Sequence, residues 1–284
     1  MSDSFIIPID YRSADAPQKF TQSLHETGFA VLTHHPLSQD ALDTIYREWL
    51  AFFLSDAKHA YRFTPSTMDG YFSPAISETA KGHTQRDLKE FFHIYPWGQY
   101  PSEVSAAARE YYCSGAQLAA QLLQWVEDYT PREIQAHYSM PLSKMITDSQ
   151  LTLLRVLHYP PLNGDENPGA MRAAAHGDIN LLTLLPAATQ AGLQVLGKDQ
   201  QWHDVPCDSG MLVVNIGDML DEASRGYYPS TVHRVLNPTG AAATRSRISL
   251  PLFLHPRPEV ALSERHTAEI YLRERLIELG MIKT

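Results

Sequence analysis

The 284-residue chain is 44% hydrophobic and 19% charged, a globular composition long enough to bury a sizeable core. Its formal net charge of −9, with no basic run, argues against a nucleic-acid partner, because phosphate binding needs clustered Lys and Arg. Cys113 and Cys207 are too few for a disulfide framework, and the chain shows neither a membrane-length apolar run nor, over Met1–Asp10, a secretory pattern, so the expectation is a soluble cytoplasmic protein.

The first third reads as mostly helical. Ser38 is a candidate cap for a helix whose Leu42, Ile45, Trp49, Phe52 and Phe53 form one apolar stripe. A second long helix is predicted from about Ser102 to Tyr129, with Leu118, Leu122, Trp125 and Val126 inward. Thr130-Pro131 reads as a cap followed by proline in the first turn of a short helix. From Gln150 the period changes to short Leu-rich and β-branched runs. Turn signals separate them at Pro160 to Pro168, Gly197-Lys198-Asp199, Asp208-Ser209-Gly210 and Asn237-Pro238. That is the pattern of an antiparallel jelly roll. Helical spacing returns from about Thr267 to Leu279, with Ile270, Leu272, Leu276 and Leu279, and Gly280 as the stop. The expected class is α+β. Residues 1–149 form a mainly helical cap region, and residues 150–284 form a double-stranded β-helix (jelly roll) core with a C-terminal helix, the two sharing one compact unit.

Within this frame His176-Gly177-Asp178, His233 and Arg247-Ile248-Ser249 carry the chemistry. Two imidazoles and one carboxylate occupy one face of an octahedron around a mononuclear Fe(II) and leave three positions for an organic co-substrate and O2. With 13 His and 32 Asp plus Glu, a His-x-Asp or His-x-Glu triplet arises roughly once by chance, so the triplet alone says little. Its context says more: it precedes the strand-like run 181–185, His233 lies in Val232-His233-Arg234-Val235, and the Arg-x-Ser opens the run Ile248–Leu254.

The stretch Leu153–His255 resembles the Fe(II)/2-oxoglutarate-dependent oxygenases of the isopenicillin N synthase-like superfamily. The matching pieces include Tyr159-Pro160-Pro161, Trp202-His203-Asp204-Val205-Pro206, Asn215-Ile216-Gly217-Asp218, Ser230-Thr231-Val232-His233-Arg234-Val235 and Arg247-Ile248-Ser249-Leu250-Pro251. The amino-terminal part, with Ile7-Pro8-Ile9-Asp10, Gly28-Phe29 and Asp87-Leu88-Lys89-Glu90-Phe91-Phe92, is similar to the family's helical cap. The resemblance implies that His176, Asp178 and His233 hold Fe(II). It also implies that Arg247 and Ser249, with Tyr159, anchor the far carboxylate of 2-oxoglutarate. O2 is the second co-substrate, and oxidation of a small molecule releases succinate and CO2. Hydroxylation is the default outcome, with desaturation or cyclisation as variations. Each imidazole is expected to hydrogen-bond through its other nitrogen.

Each residue also has a plainer reading. His176 and Asp178 can be a surface imidazole and a turn carboxylate, and Arg247 can be an ion-pair residue with Arg245 as its rival in alignment. Tyr159 can be a packed strand tyrosine, and Asp218 reads as part of a tight turn. No ligand role falls to His34, His35, His158, His203 or His255. Three departures from the family pattern stand out: Leu157 where Asn is common, His158 where Tyr is frequent, and Gly177 for Thr, expected to widen the floor of the site. Asp178 disfavours a halogenase. Two rivals remain: an isopenicillin N synthase-type oxidase working without 2-oxoglutarate, disfavoured by the lack of Gln in Gly280–Thr284, and a non-catalytic jelly-roll binding or sensing protein. Residues expected to face the substrate are Tyr71, Phe72, Arg172, Asn180 and Phe253, an aromatic wall with one cation that suits a small carboxylated metabolite.

Overall fold

Apolar runs after residue 150 become strands, and those of the larger sheet are covered on both faces. The protein is described by a computed structural model over residues 5–76, 87–167 and 169–282, so Pro168 and the terminal residues 1–4 and 283–284, used above, lie outside the described residues. The chain enters through β1 (Ile9–Asp10), α1 (Ala16–Thr27), β2 (Phe29–Thr33), α2 (Gln39–Leu54), β3 (Gly70–Phe72) and β4 (Glu90–Ile94). Three helices follow: α3 (Ala107–Tyr129), α4 (Arg132–Gln135) and α5 (Leu142–Met145). Then come β5 (Leu153–Tyr159), β6 (Ala173–His176), β7 (Leu182–Pro186), β8 (Leu193–Leu196), β9 (Trp202–Asp204) and β10 (Met211–Ile216). After α6 (Asp218–Ala223), β11 (His233–Val235), β12 (Arg247–Ser249) and β13 (Leu252–Leu254), α7 (Ala268–Glu278) closes the chain.

The larger sheet runs β1-β2-β10-β7-β13-β5-β4-β3, with β12 also paired to β5, and the smaller runs β6-β11-β8-β9. Side chains alternate along each strand. Val31, Val213, Leu157 and Tyr159 therefore enter the space between the sheets, while Ala30, Leu32, Leu154, Val156, Leu212 and Val214 pack outward under the helices. Burial of both faces removes the polar alternation and explains the near-continuous apolar runs. The expected α+β class and jelly-roll core are borne out. Because β1 to β4 precede residue 150 and join the larger sheet, the chain's two parts share one framework.

Ser38 caps α2, its hydroxyl accepting from Ala41 N at 3.3 Å. The predicted stripe is buried, and Trp49 meets Phe92 of β4 at 5.1 Å between ring centroids. Such aromatic pairs add about 0.5–1.5 kcal/mol beyond their buried area. The long helix predicted from Ser102 starts only at Ala107. Ser105 ties the preceding turn to α2 instead, through Glu48 at 3.0 Å from its N–H and 2.7 Å from its hydroxyl. Thr130 does not cap α4: its hydroxyl donates back to Val126 O at 2.5 Å, and Pro131 is itself the residue flanking the short helix. The run Ile248–Leu254 divides into β12 and β13 around Pro251, which has no N–H to give a ladder. In α7, capped by Thr267 and followed by Gly280 at φ 70°, Ile270 is 46% exposed.

Candidate active site

His176 ends β6 and His233 begins β11, and the antiparallel register sets them directly opposite each other. Opposed residues point to the same face, and the two rings lie 4.4 Å apart between centroids. Ala173 and Ala175 on β6 leave open space beside them. Asp178 follows in the loop, with Oδ1 3.7 Å from His233 Nε2. One donor atom from each of the three residues lies within 4.8 Å of the others.

The surroundings fix each donor. His176 Nδ1 lies 2.7 Å from Ala174 O, and His233 Nδ1 lies 3.2 Å from Thr231 O. A carbonyl only accepts, so each ring carries its proton on Nδ1 and presents the Nε2 lone pair to the cluster, as expected. Burial, followed by the neighbouring His233, pushes His176 down to about 4, which keeps it neutral at physiological pH. Burial alone would raise the Asp178 carboxyl, but His233, His176 and the hydrogen bonds from Asn215 and Thr183 outweigh it and hold the group ionised. Those bonds, 2.8 Å from Asn215 Nδ2 and 2.5 Å from the Thr183 hydroxyl, both end on Oδ2. Oδ1 is left for a cation. Two imidazoles presenting Nε2 and a one-oxygen carboxylate on one side of a cavity fit Fe(II).

Arg247 and Ser249 share one face of β12, opposite Tyr159 and Leu157 of β5. The Arg247 guanidinium lies 5.0 Å over the Tyr159 ring, and its Nε donates to Gln190 O at 3.0 Å. All four residues and the His-Asp-His cluster line one cavity of about 410 Å³. This size suits a small-molecule site. Leu157 makes the wall opposite Ser249 apolar. His158 faces the other way, held by Glu90 at 2.8 Å and Ser246 at 2.9 Å, so that departure does not touch the cavity. The expectation that Gly177 widens the floor is corrected: a Cβ there would meet Ser230 Oγ at 3.1 Å and Asp218 Oδ1 at 3.2 Å, so other side chains fill the space. Asp218 stands in the first turn of α6, and burial raises its carboxyl; its Oδ2 accepts from Tyr271 of α7 at 3.1 Å.

Of the five candidate substrate residues, Phe253 lines the cavity. Asn180 borders it, but its amide donates to Leu182 O at 2.5 Å, bracing the Asp178 loop. Tyr71, Phe72 and Arg172 are corrected, as none of them lines the cavity. The Tyr71 hydroxyl is bound to Glu90 at 2.5 Å, Phe72 stacks on Phe91 and Phe63, and Arg172 is held by Gln190 and Arg245. The cations on the cavity wall are Lys89, Arg155, Arg247 and Arg275, with His255, Trp97 and the α7 leucines Leu272 and Leu276 beside them. Arg155 was legible by counting back in twos from Tyr159 along β5. Thr183 and Asn215 were legible as the polar residues in apolar strands.

A jelly roll carrying a His-Asp-His cluster beside an Arg-x-Ser pair defines a mononuclear non-haem iron oxygenase. The 2OG-Fe(II) oxygenase superfamily model matches residues 150–256, and the model for the non-haem dioxygenase in morphine synthesis N-terminal region matches residues 8–129. Gibberellin 3-beta-dioxygenase 4 of Arabidopsis thaliana is 30% identical over 85% of this chain and 69% of its own length. A crystal structure from Shewanella oneidensis assigned as an oxygenase is 53% identical, with a TM-score of 0.88 over 98% of this chain and 99% of that one. A Caulobacter crescentus protein assigned to the 2OG-Fe(II) oxygenase family is 31% identical, with a TM-score of 0.81 over 97% and 99%. The chain spans 46% to 77% of the length of the curated relatives compared, 56% for a 2-oxoglutarate-Fe(II) type oxidoreductase of Aspergillus fumigatus. This chain belongs to the 2OG-Fe(II) oxygenase superfamily, whose enzymes depend on Fe(II) and 2-oxoglutarate.

Proposed function

We propose that the protein is a dioxygenase that hydroxylates a small molecule while converting 2-oxoglutarate to succinate and CO2, with residues 1–149 and 150–284 acting as one cytoplasmic catalytic unit. The observation that carries this reading is the single cavity joining His176, Asp178 and His233 to Arg247, Ser249 and Tyr159. When bound, Fe(II) supplies the oxidising chemistry with 2-oxoglutarate and O2. The protein's part is placement. The Nδ1 bonds fix the tautomer and aim of both imidazoles, and Thr183 and Asn215 turn one Asp178 oxygen inward. Arg247 and Ser249 bind the far carboxylate of the co-substrate, with the Tyr159 ring beneath the guanidinium. Leu157, Leu185 and Val235 exclude water around it.

The substrate occupies the end bordered by Phe253, Trp97, His255 and Arg155. Arg155 is oriented by its Nε bond to His93 at 2.8 Å and by the Phe91 and Phe253 rings at 4.4 and 5.4 Å, which supports a carboxylated or otherwise polar metabolite. A relative named for gibberellin also supports a small-molecule substrate. The test is an anaerobic titration of Fe(II)-loaded protein with 2-oxoglutarate, followed by its visible charge-transfer band. A saturable band is expected in the wild type and none in Asp178→Ala. A wild-type protein holding one iron but giving no band would favour the isopenicillin N synthase-type oxidase.

A further inference from the structure

Arg172 is fully buried just before β6, outside the cavity and behind Tyr159. Its guanidinium carbon lies 6.0 Å from the Tyr159 ring centroid, and that of Arg247 lies 5.0 Å from the same centroid. Among the described residues neither arginine has a carboxylate partner. Arg172 Nη1 donates to Gln190 Oε1 at 2.7 Å and Nη2 to Arg245 O at 3.0 Å, while its buried Nε has no partner among the described residues. Gln190 in turn accepts from Arg247 Nε through its backbone oxygen at 3.0 Å, and its amide reaches Arg245 O and Ser246 O at 3.3 Å. One glutamine therefore ties both guanidinium groups to the segment that leads into β12. Two buried guanidinium groups remain charged, and an uncompensated buried charge is costly until an anion joins it.

We infer that Arg172 is a positioning residue for the far carboxylate of 2-oxoglutarate: through Gln190 it fixes the Arg247 guanidinium, and its own charge adds to the field that selects a dianionic co-substrate. This rests on the reading of Arg247 and Ser249 as the anchor. Burial and the charge of Arg247 both press the Arg172 guanidinium below its ordinary value, which a bound carboxylate would relieve. Neutral Arg172→Gln cannot supply the charge. Arg172→Lys keeps the charge but cannot span Gln190 and Arg245 at once.

The experiment is the anaerobic 2-oxoglutarate titration of Fe(II)-loaded wild type, Arg172→Gln, Arg172→Lys and Arg247→Gln, each first shown to bind one iron. Arg172→Gln is expected to weaken 2-oxoglutarate binding about tenfold, the order of one charge-assisted hydrogen bond. The charge-transfer band at saturating co-substrate should keep its wild-type position and intensity, and discrimination against the shorter oxaloacetate should fall. Arg172→Lys should lie between Arg172→Gln and wild type. Wild-type affinity in Arg172→Gln beside a weakened Arg247→Gln would overturn the inference and leave the anchor standing. Wild-type affinity in Arg247→Gln would overturn the anchor itself.

Discussion

Asn215 offers a direct test of how the Asp178 carboxylate is held. On β10 it is the cross-strand partner of Thr183 on β7, and the two side chains converge on Asp178 Oδ2 at 2.8 and 2.5 Å. Asn215→Ala keeps the strand pairing and removes one hydrogen bond to a charged group, worth roughly 1.5–3 kcal/mol. Asp178 is 8% exposed, so water cannot readily replace the amide. The carboxylate is then free to turn Oδ1 away from the two Nε2 atoms. Loss of such a supporting contact weakens metal affinity about 10–100-fold, and at about 1.4 kcal/mol per tenfold the two estimates agree. The assay is an anaerobic Fe(II) titration against a competing chelator, with thermal unfolding of the metal-free protein run separately to show that the variant folds. Thr183→Val, which removes the hydroxyl and keeps the shape, should act in the same direction. A folded Asn215→Ala protein that binds Fe(II) within about threefold of wild type would refute the reasoning, because the orientation of Asp178 would then have another source.

Two other perturbations probe the support behind the site. Glu90, buried between Lys58, Tyr71 and His158, has a carboxyl that burial alone would raise but that bonds from His158, Tyr71 and Lys58 hold below its ordinary 4.5. A depressed value means that its stabilisation is present above pH 4.5 and lost as pH falls through the folded-state value. Glu90→Gln should lower unfolding free energy by about 3 kcal/mol near neutral pH, and denaturant titrations should show the gap to wild type shrinking in acid; a gap independent of pH would count against the network. Gly217→Ala would place a Cβ against the Asn180 backbone carbonyl, where Gly217 N–H also binds Leu181 O at 3.0 Å. Calorimetry should register a loss of about 1–3 kcal/mol, with weaker Fe(II) binding because the Asp178 loop is displaced.

How much of this was legible turns on register. The His-Asp-His cluster could be read because His176-Gly177-Asp178 and His233 sit where strands begin and end, and because two imidazoles and a carboxylate have few joint uses. The jelly roll followed from the change of period at Gln150. What could not be read was the phase of each strand against its neighbours. His158 and Tyr159 are adjacent, yet β5 sends one to Glu90 on the helix side and the other beneath Arg247 in the cavity. Arg172 shows a related ambiguity: it lies just before β6, where no strand alternation reaches it, and only the fold puts it behind Tyr159 rather than on the cavity wall that Arg155 of β5 joins. Tyr71 and Phe72 look like substrate contacts by residue type, but β4 covers them, joining Tyr71 to Glu90 and stacking Phe72 on Phe91. The α7 wall was hidden for a different reason. Its inward residues are held by tertiary contacts such as Tyr271 to Asp218, and a helical period does not say what the helix lies against. The chemistry of this site was therefore written in residue identity and spacing, whereas its specificity resides in strand register and helix docking, which only the folded chain fixes.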